Sequence, residues 1–157
     1  MPASTATATD VAALAARVPP GARVGVDGRD AAGKTSFARA LAAALGATVV
    51  SIDDFHRPAE ERVYYYRDAF DLAAFAAAVR AVRGTVVGEG VFLFRPELDD
   101  LWDVRIRVEV DPDEQWRRAA ARGDALDRYA TRYRPAHAAY EAAVRPGERA
   151  DVVLRWP

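Results

Sequence analysis

The chain has no cysteine, which excludes disulfides, thiolate zinc sites and cysteine nucleophiles at once. It is almost without lysine: of its 22 lysines and arginines, Lys34 is the single lysine. No apolar run approaches the roughly 18 residues of a membrane span. The start, MPASTATATD, lacks the charged and apolar regions of a secretory signal. Neither charge dominates, and a formal net charge of -1 gives no reason to expect a surface for a polyanion. A soluble cytoplasmic protein is expected, with neither nucleic acid nor membrane as a partner. A homodimer is left open.

What remains is one domain's worth of chain, 157 residues, with 51% apolar residues. Alanine supplies much of that share, so the periodic Val, Leu, Phe, Tyr and Trp positions must define the core. Residues 1–8 are small and polar and read as a disordered arm, leaving 9–157 as a single domain. TDVAALAARV places Val11, Leu14, Ala15 and Val18 on one helical face, with Thr9 or Asp10 as N-cap. RVGVD (23–27) and ATVVSI (47–52) read as buried strands around a helix over 34–46 that Gly46 ends. A capped helix follows over 68–84, with Phe70, Phe75 and Val79 inward, then a strand within 85–92. DVRIRVEV (103–110) alternates apolar and charged residues, as an edge-side strand should. A helix opens at Pro112, another helical stretch must kink or break at Pro135, and ADVVLRW closes as a last strand. Strands alternating with helices predict an α/β fold whose parallel sheet is covered on both faces.

The lone lysine lies in GVDGRDAAGKTSF, where Gly28, Gly33, Lys34 and Thr35 fit G-x-x-x-x-G-K-S/T between a strand and a helix. Glycines let such a loop wrap so that successive N–H groups face phosphates at a helix N-terminus. Gly28, Asp30, Ala31, Ala32, Gly33, Lys34, Thr35 and Ser36 are therefore the expected nucleotide-binding segment. Thr35 offers a hydroxyl to Mg²⁺. Lys34 supplies a compact, flexible point charge between β- and γ-phosphates, where a planar guanidinium is too wide and too rigid. That accounts for one lysine in an arginine-rich chain.

Two acids follow strands. Asp53, in SIDDFH, sits where a general base would accept the proton of an acceptor hydroxyl, though a turn or capping aspartate reads the same way. Glu89, in TVVGEG, ends an apolar run between Gly88 and Gly90, a place for a carboxylate that holds Mg²⁺ directly or through water.

GRDAAGKTSFARALA, SIDDFHRP, YYRDAFDL, GEGVFLFRPEL, RRAAARGD and ADVVL stand in the order and context of the uridine kinase-like family of phosphate-loop kinases. The chain resembles that family, which is allied to phosphoribulokinase and bacterial pantothenate kinase, over roughly residues 22 to 154. The resemblance implies an ATP- and Mg²⁺-dependent transfer of phosphate to a small molecule's hydroxyl. It implies a five-stranded parallel sheet with helices on both faces and a short arginine-bearing lid. By position, Asp53 matches the catalytic base, Glu89 the metal-organising acid with Thr35, and His56 a residue beside the acceptor. Asp53 is also a candidate for the metal shell. Arg118 and Arg122 match lid arginines that close on the phosphates, with Arg117 a lesser candidate; an arginine-rich solvated face is the alternative.

The chain departs from the family twice. An aspartate that grips the ribose is replaced by the stretch Tyr64, Tyr65, Tyr66, Arg67, of which Tyr65 and Arg67 are the substrate-side candidates. The hairpin that would cover a nucleoside base is missing, since a helix alone joins Leu72 to Val86. The tyrosines either line an acceptor pocket or pack in the core. Two other functions stay open. A nucleoside monophosphate kinase would hold an acceptor phosphate with Arg57, Arg62 and Arg67, and a regulatory ATP-binding protein would need no base at Asp53.

Overall fold

The computed structural model describes residues 4–5 and 8–157, with side chains from residue 10 onward. The arm expected over 1–8 falls largely outside the described residues. Of its described part, Ser4–Thr5 (β1) pairs in parallel with the last strand, and Ala8 opens a helix. That helix, Ala8–Ala15 (α1), starts earlier than its capping signals suggested. Thr9 and Asp10 lie in its first turn instead of capping it.

Five longer strands carry the sheet: Arg23–Gly28 (β2), Thr48–Ser51 (β3), Val86–Gly90 (β4), Val104–Glu109 (β5) and Val152–Arg155 (β6). All pair in parallel, in the order β1-β6-β5-β2-β4-β3. The helices are Lys34–Leu45 (α2), Tyr65–Asp68 (α3), Leu72–Ala81 (α4), Pro112–Ala121 (α5), Leu126–Arg128 (α6), Arg134–Val144 (α7) and Pro146–Arg149 (α8). Local chemistry sets several boundaries. Gly46 takes the left-handed conformation that ends α2, and the Asp71 carboxylate caps α4 by accepting from the Ala74 N–H. Before Pro135 the backbone makes a π turn over Tyr129–Tyr133, so the proline sits in the first turn of α7 and the chain stays helical through it.

Two apolar clusters flank the sheet. Val11 of α1, Phe37 and Leu41 of α2, and Val24, Val26, Ile106 and Val108 of the strands form one. Phe75 and Val79 of α4, Tyr140 and Val144 of α7, Phe92, Leu98 and Trp102 form the other. This is the expected sheet with helices on both faces. On the second face Gly25 and Gly88 stand side by side in register, and a Cβ at Gly88 would enter the Trp102 ring. The slot seats the indole, whose Nε1 donates to the Leu93 carbonyl at 2.9 Å.

The expected edge-side position of residues 103–110 is corrected by the topology: β5 lies between β2 and β6. Its alternation is genuine, but the charged positions are neutralised internally. Arg107 is 1% exposed and ion-paired to Asp27, while Arg105 is ion-paired to the Asp99 carboxylate at 3.3 Å. A charged residue in a strand reads as solvated only when its counter-charge is not already buried beside it.

Parallel strands put all their carboxyl ends on one edge, where ligands of open α/β sheets gather. Here that edge collects Gly28, Ser51 and Gly90, and hence the loop after β2, Asp53 and Glu89.

Candidate active site

The loop after β2 is held open by its own backbone. Gly33 (φ 90°) and Ala31 (φ 62°) both adopt the left-handed region, which for alanine costs on the order of 1–2 kcal/mol. Such alternation turns consecutive N–H groups toward one concavity. Gly33 then opens α2 with no side-chain cap, so the first-turn N–H groups of that helix remain available to an anion. Lys34 is 9% exposed, and its Nζ folds back to the Arg29 carbonyl at 3.3 Å. Ser36 is exposed on the same turn.

The loop is also anchored from below. Asp27, fully buried at the end of β2, accepts from the Leu93 N–H, the Tyr140 hydroxyl and Arg107 Nη1, the last at 2.6 Å. Arg107 continues to Glu141 at 2.6 Å, and Glu141 accepts from Arg29 of the loop at 2.9 Å. Burial works against the Arg107 charge, but Asp27, Glu109 and Glu141 outweigh it and hold the guanidinium protonated. Burial and the Asp27 charge push the Tyr140 hydroxyl up, so it stays a donor. Breaking a buried pair by removing one partner leaves the other charge uncompensated. Arg107→Met is therefore expected to lower stability by about 3–5 kcal/mol. Urea denaturation checks this, and a midpoint equal to wild type would rule out the anchoring role.

A second set of contacts fixes Asp30. Its carboxylate accepts from the Tyr65 hydroxyl at 3.1 Å and lies 2.8 Å from His137 Nε2, and its carbonyl accepts from Gln115 Nε2. Burial raises the Asp30 carboxyl, but the His137 hydrogen bond and the Lys34 charge prevail and hold it below its ordinary value. Burial, then the Asp30 and Asp53 charges, push the Tyr65 hydroxyl well up.

Across the loop, Thr35 Oγ1 donates to Glu89 Oε2 at 3.2 Å. Glu89 is 1% exposed and forms no ion pair among the described residues. A buried carboxylate without a cation beside a helix N-terminal hydroxyl fits a magnesium ion, which takes one or two protein oxygens and leaves the rest to phosphates and water. No three acids or histidines gather as a metal cluster among the described residues. Asp53 follows β3 in a 3₁₀ turn, exposed, its N–H donating to Ser51 Oγ. His56 Nδ1 lies 2.7 Å from the Asp53 carbonyl.

The fold that carries this loop at its carboxyl edge is shared with solved structures. A possible uridine kinase from Bacillus stearothermophilus superposes with a TM-score of 0.72 at 20% identity, over 92% of this chain and 96% of that one. A proposed fructose transport system kinase from Silicibacter sp. TM1040 gives 0.58 at 25% identity, over 93% and 97%. Shikimate kinase from Acinetobacter baumannii gives 0.63 at 14% identity, over 85% and 83%. The α/β fold is therefore the one these solved proteins share. No family model matches the chain.

Within this fold the arginines of α5 do not converge as a pair. Arg118 donates to the Ala32 carbonyl in the loop, to the Trp156 carbonyl and to Glu114. Arg122, just past the helix end, turns to Asp124 and the Tyr129 hydroxyl. Two carbonyls draw one and a carboxylate two residues on draws the other, so the two guanidinium groups turn to different partners in this structure. Arg117 pairs with Glu114 on the surface.

The tyrosine stretch divides. Tyr65 is buried between Tyr133 and Phe92, Tyr66 lies under Arg95, and Tyr64 is exposed beneath Arg67. Arg67 pairs with Asp68 and Arg57 with Glu61, leaving Arg62 alone of that trio outside an ion pair among the described residues. Sequence reasoning did not single out Asp27, Arg107, His137, Tyr140 or Gln115. Only Asp27 carried a usable signal, a carboxylate closing an apolar strand directly before the loop glycine.

Proposed function

We propose that this protein is a kinase that uses ATP and Mg²⁺ to phosphorylate a hydroxyl of a small molecule. The observation that carries the reading is the buried, unneutralised Glu89 accepting from Thr35 beside an uncapped, lysine-bearing helix start. Thr35 and Glu89 would hold magnesium, which would supply positive charge to offset that of the phosphates. The loop N–H groups and Lys34 hold the phosphates and meet the charge that develops on them in transfer. An acceptor hydroxyl oxygen attacks the γ-phosphorus, the bond to the β–γ bridging oxygen breaks, and the hydroxyl proton passes to Asp53. Asp53 suits that role because it is exposed at the carboxyl edge and its carboxylate makes no hydrogen bond among the described residues. ADP release measured across nucleosides, sugars and hydroxy acids tests the reading, and no acceptor-dependent release from any class would refute it.

Nucleosides are expected to be poor acceptors. The place of a ribose-gripping aspartate is occupied by tyrosines, and only α4 separates Asp71 from β4, with no cover for a base. Each lost charge-assisted hydrogen bond costs roughly 1.5–3 kcal/mol, so recognition should weaken at least about a hundredfold. Steady-state kinetics with uridine and cytidine at saturating Mg·ATP check this. A micromolar KM with ordinary turnover would show that the tyrosines rebuild a nucleoside pocket.

A further inference from the structure

Beside the loop lies a cavity of about 300 Å³ whose walls include His56, Arg62, Tyr65, Arg128, Arg132 and Tyr133. Its charge is one-sided. Neither Arg62, Arg128 nor Arg132 forms an ion pair among the described residues, although neighbouring Arg57 and Arg67 each have a carboxylate. Arg62 Nε is buried without a hydrogen-bond partner. Arg132 gives one donor to the Arg62 carbonyl and one to the Val63 carbonyl and lies 5.5 Å from the Tyr65 ring centre, so it holds the Arg62 segment in place without neutralising it and keeps further N–H donors. The buried Arg62 Nε is costly to leave unpaired unless an anion enters, and a guanidinium fork matches carboxylate or phosphate oxygens. In a chain of net charge -1 this excess is local.

The opposite wall leads to the chemistry. Tyr65 is bonded to Asp30 of the loop, and His56 to the backbone of Asp53. A compound whose anionic end rests on the arginines can therefore present a hydroxyl toward Asp53. The volume is at the low end of ligand pockets, which span about 300–1,000 Å³, and suits a compound of a few carbons better than a nucleotide.

We propose that the acceptor is a small hydroxyl compound that also carries a carboxylate or phosphate, held by Arg62, Arg128 and Arg132. This rests on the kinase reading and names its substrate class. The test uses matched pairs at saturating Mg·ATP: glycerate against glycerol and gluconate against glucose, then glycerol 3-phosphate against glycerol and ribose 5-phosphate against ribose. At least one anionic member is expected to show a kcat/KM tenfold or more above its neutral partner, and the responding set tells carboxylate from phosphate. Equal or better turnover of the neutral members would overturn the proposal while leaving a kinase.

Arg128 is exposed, so Arg128→Gln should fold normally and raise the KM for the anionic acceptor at least tenfold. An unchanged KM would count against the site. Calorimetry with a non-hydrolysable ATP analogue and magnesium separates the two claims. Failure of the analogue to bind would sink the kinase reading. Titrating gluconate and ribose 5-phosphate into wild type and Arg128→Gln still decides the cavity: weaker binding of either by the variant supports it, and identical binding or none refutes it.

Discussion

Lys34→Ala is expected to lower turnover by at least roughly 10²–10³-fold, the cost of removing one preorganised electrostatic donor from a reacting centre. The fold should survive, because Nζ makes one hydrogen bond, to the Arg29 carbonyl, and no ion pair among the described residues. The loop's shape comes from elsewhere: positive φ at Ala31 and Gly33, and the Asp27 anchor beneath. Lys34→Arg should rescue little, since a rigid fork cannot occupy the point a compact ammonium fills. The measurement is ADP formation beside circular dichroism and a urea midpoint. Full activity in a folded Lys34→Ala protein would remove the phosphate-loop assignment.

Asp53→Asn is expected to separate binding from chemistry. The amide keeps shape and loses basicity, so the acceptor proton has no destination, and turnover should fall by about 10²–10⁴-fold. Mg·ATP affinity should stay within a few-fold, since Thr35, Glu89 and the loop are untouched. Stability should hardly move, because Asp53 is exposed and only its backbone bonds to Ser51 and His56. Calorimetry with Mg·ATP decides the role. Abolished nucleotide binding would reassign Asp53 to the metal shell or to the frame of the site.

The features legible in sequence are those set over a few residues. Gly46 ends α2 and Asp71 caps α4 through contacts within four residues, and the loop signature needs only the strand before it and the helix after. Glu89 was readable for the same reason, as the acid at a strand's end between glycines that must be small: Gly88 faces Trp102 and Gly90 faces Ile52. What escaped depends on partners far along the chain. The burial of Arg107 is intelligible only with Asp27, 80 residues earlier, and the fixing of Asp30 only with His137, 107 residues later. The α5 arginines show the converse. Their helical spacing was correctly read, yet partners outside the helix, at Ala32, Trp156 and Asp124, decide where each points.

The strand order has a consequence for how the molecule comes into being. β2 precedes every other long strand in the chain yet sits innermost, between β4 and β5, so it waits for both. During synthesis the ribosome releases Asp27 long before Arg107 exists. A nascent chain that collapsed early around β2 would bury a lone carboxylate, which is strongly unfavourable. The contacts that floor the phosphate loop are thus incomplete until residue 107 has been made, and Glu141 extends that dependence to α7. Fragments that stop short of β5 would carry the complete loop motif and no means of holding it.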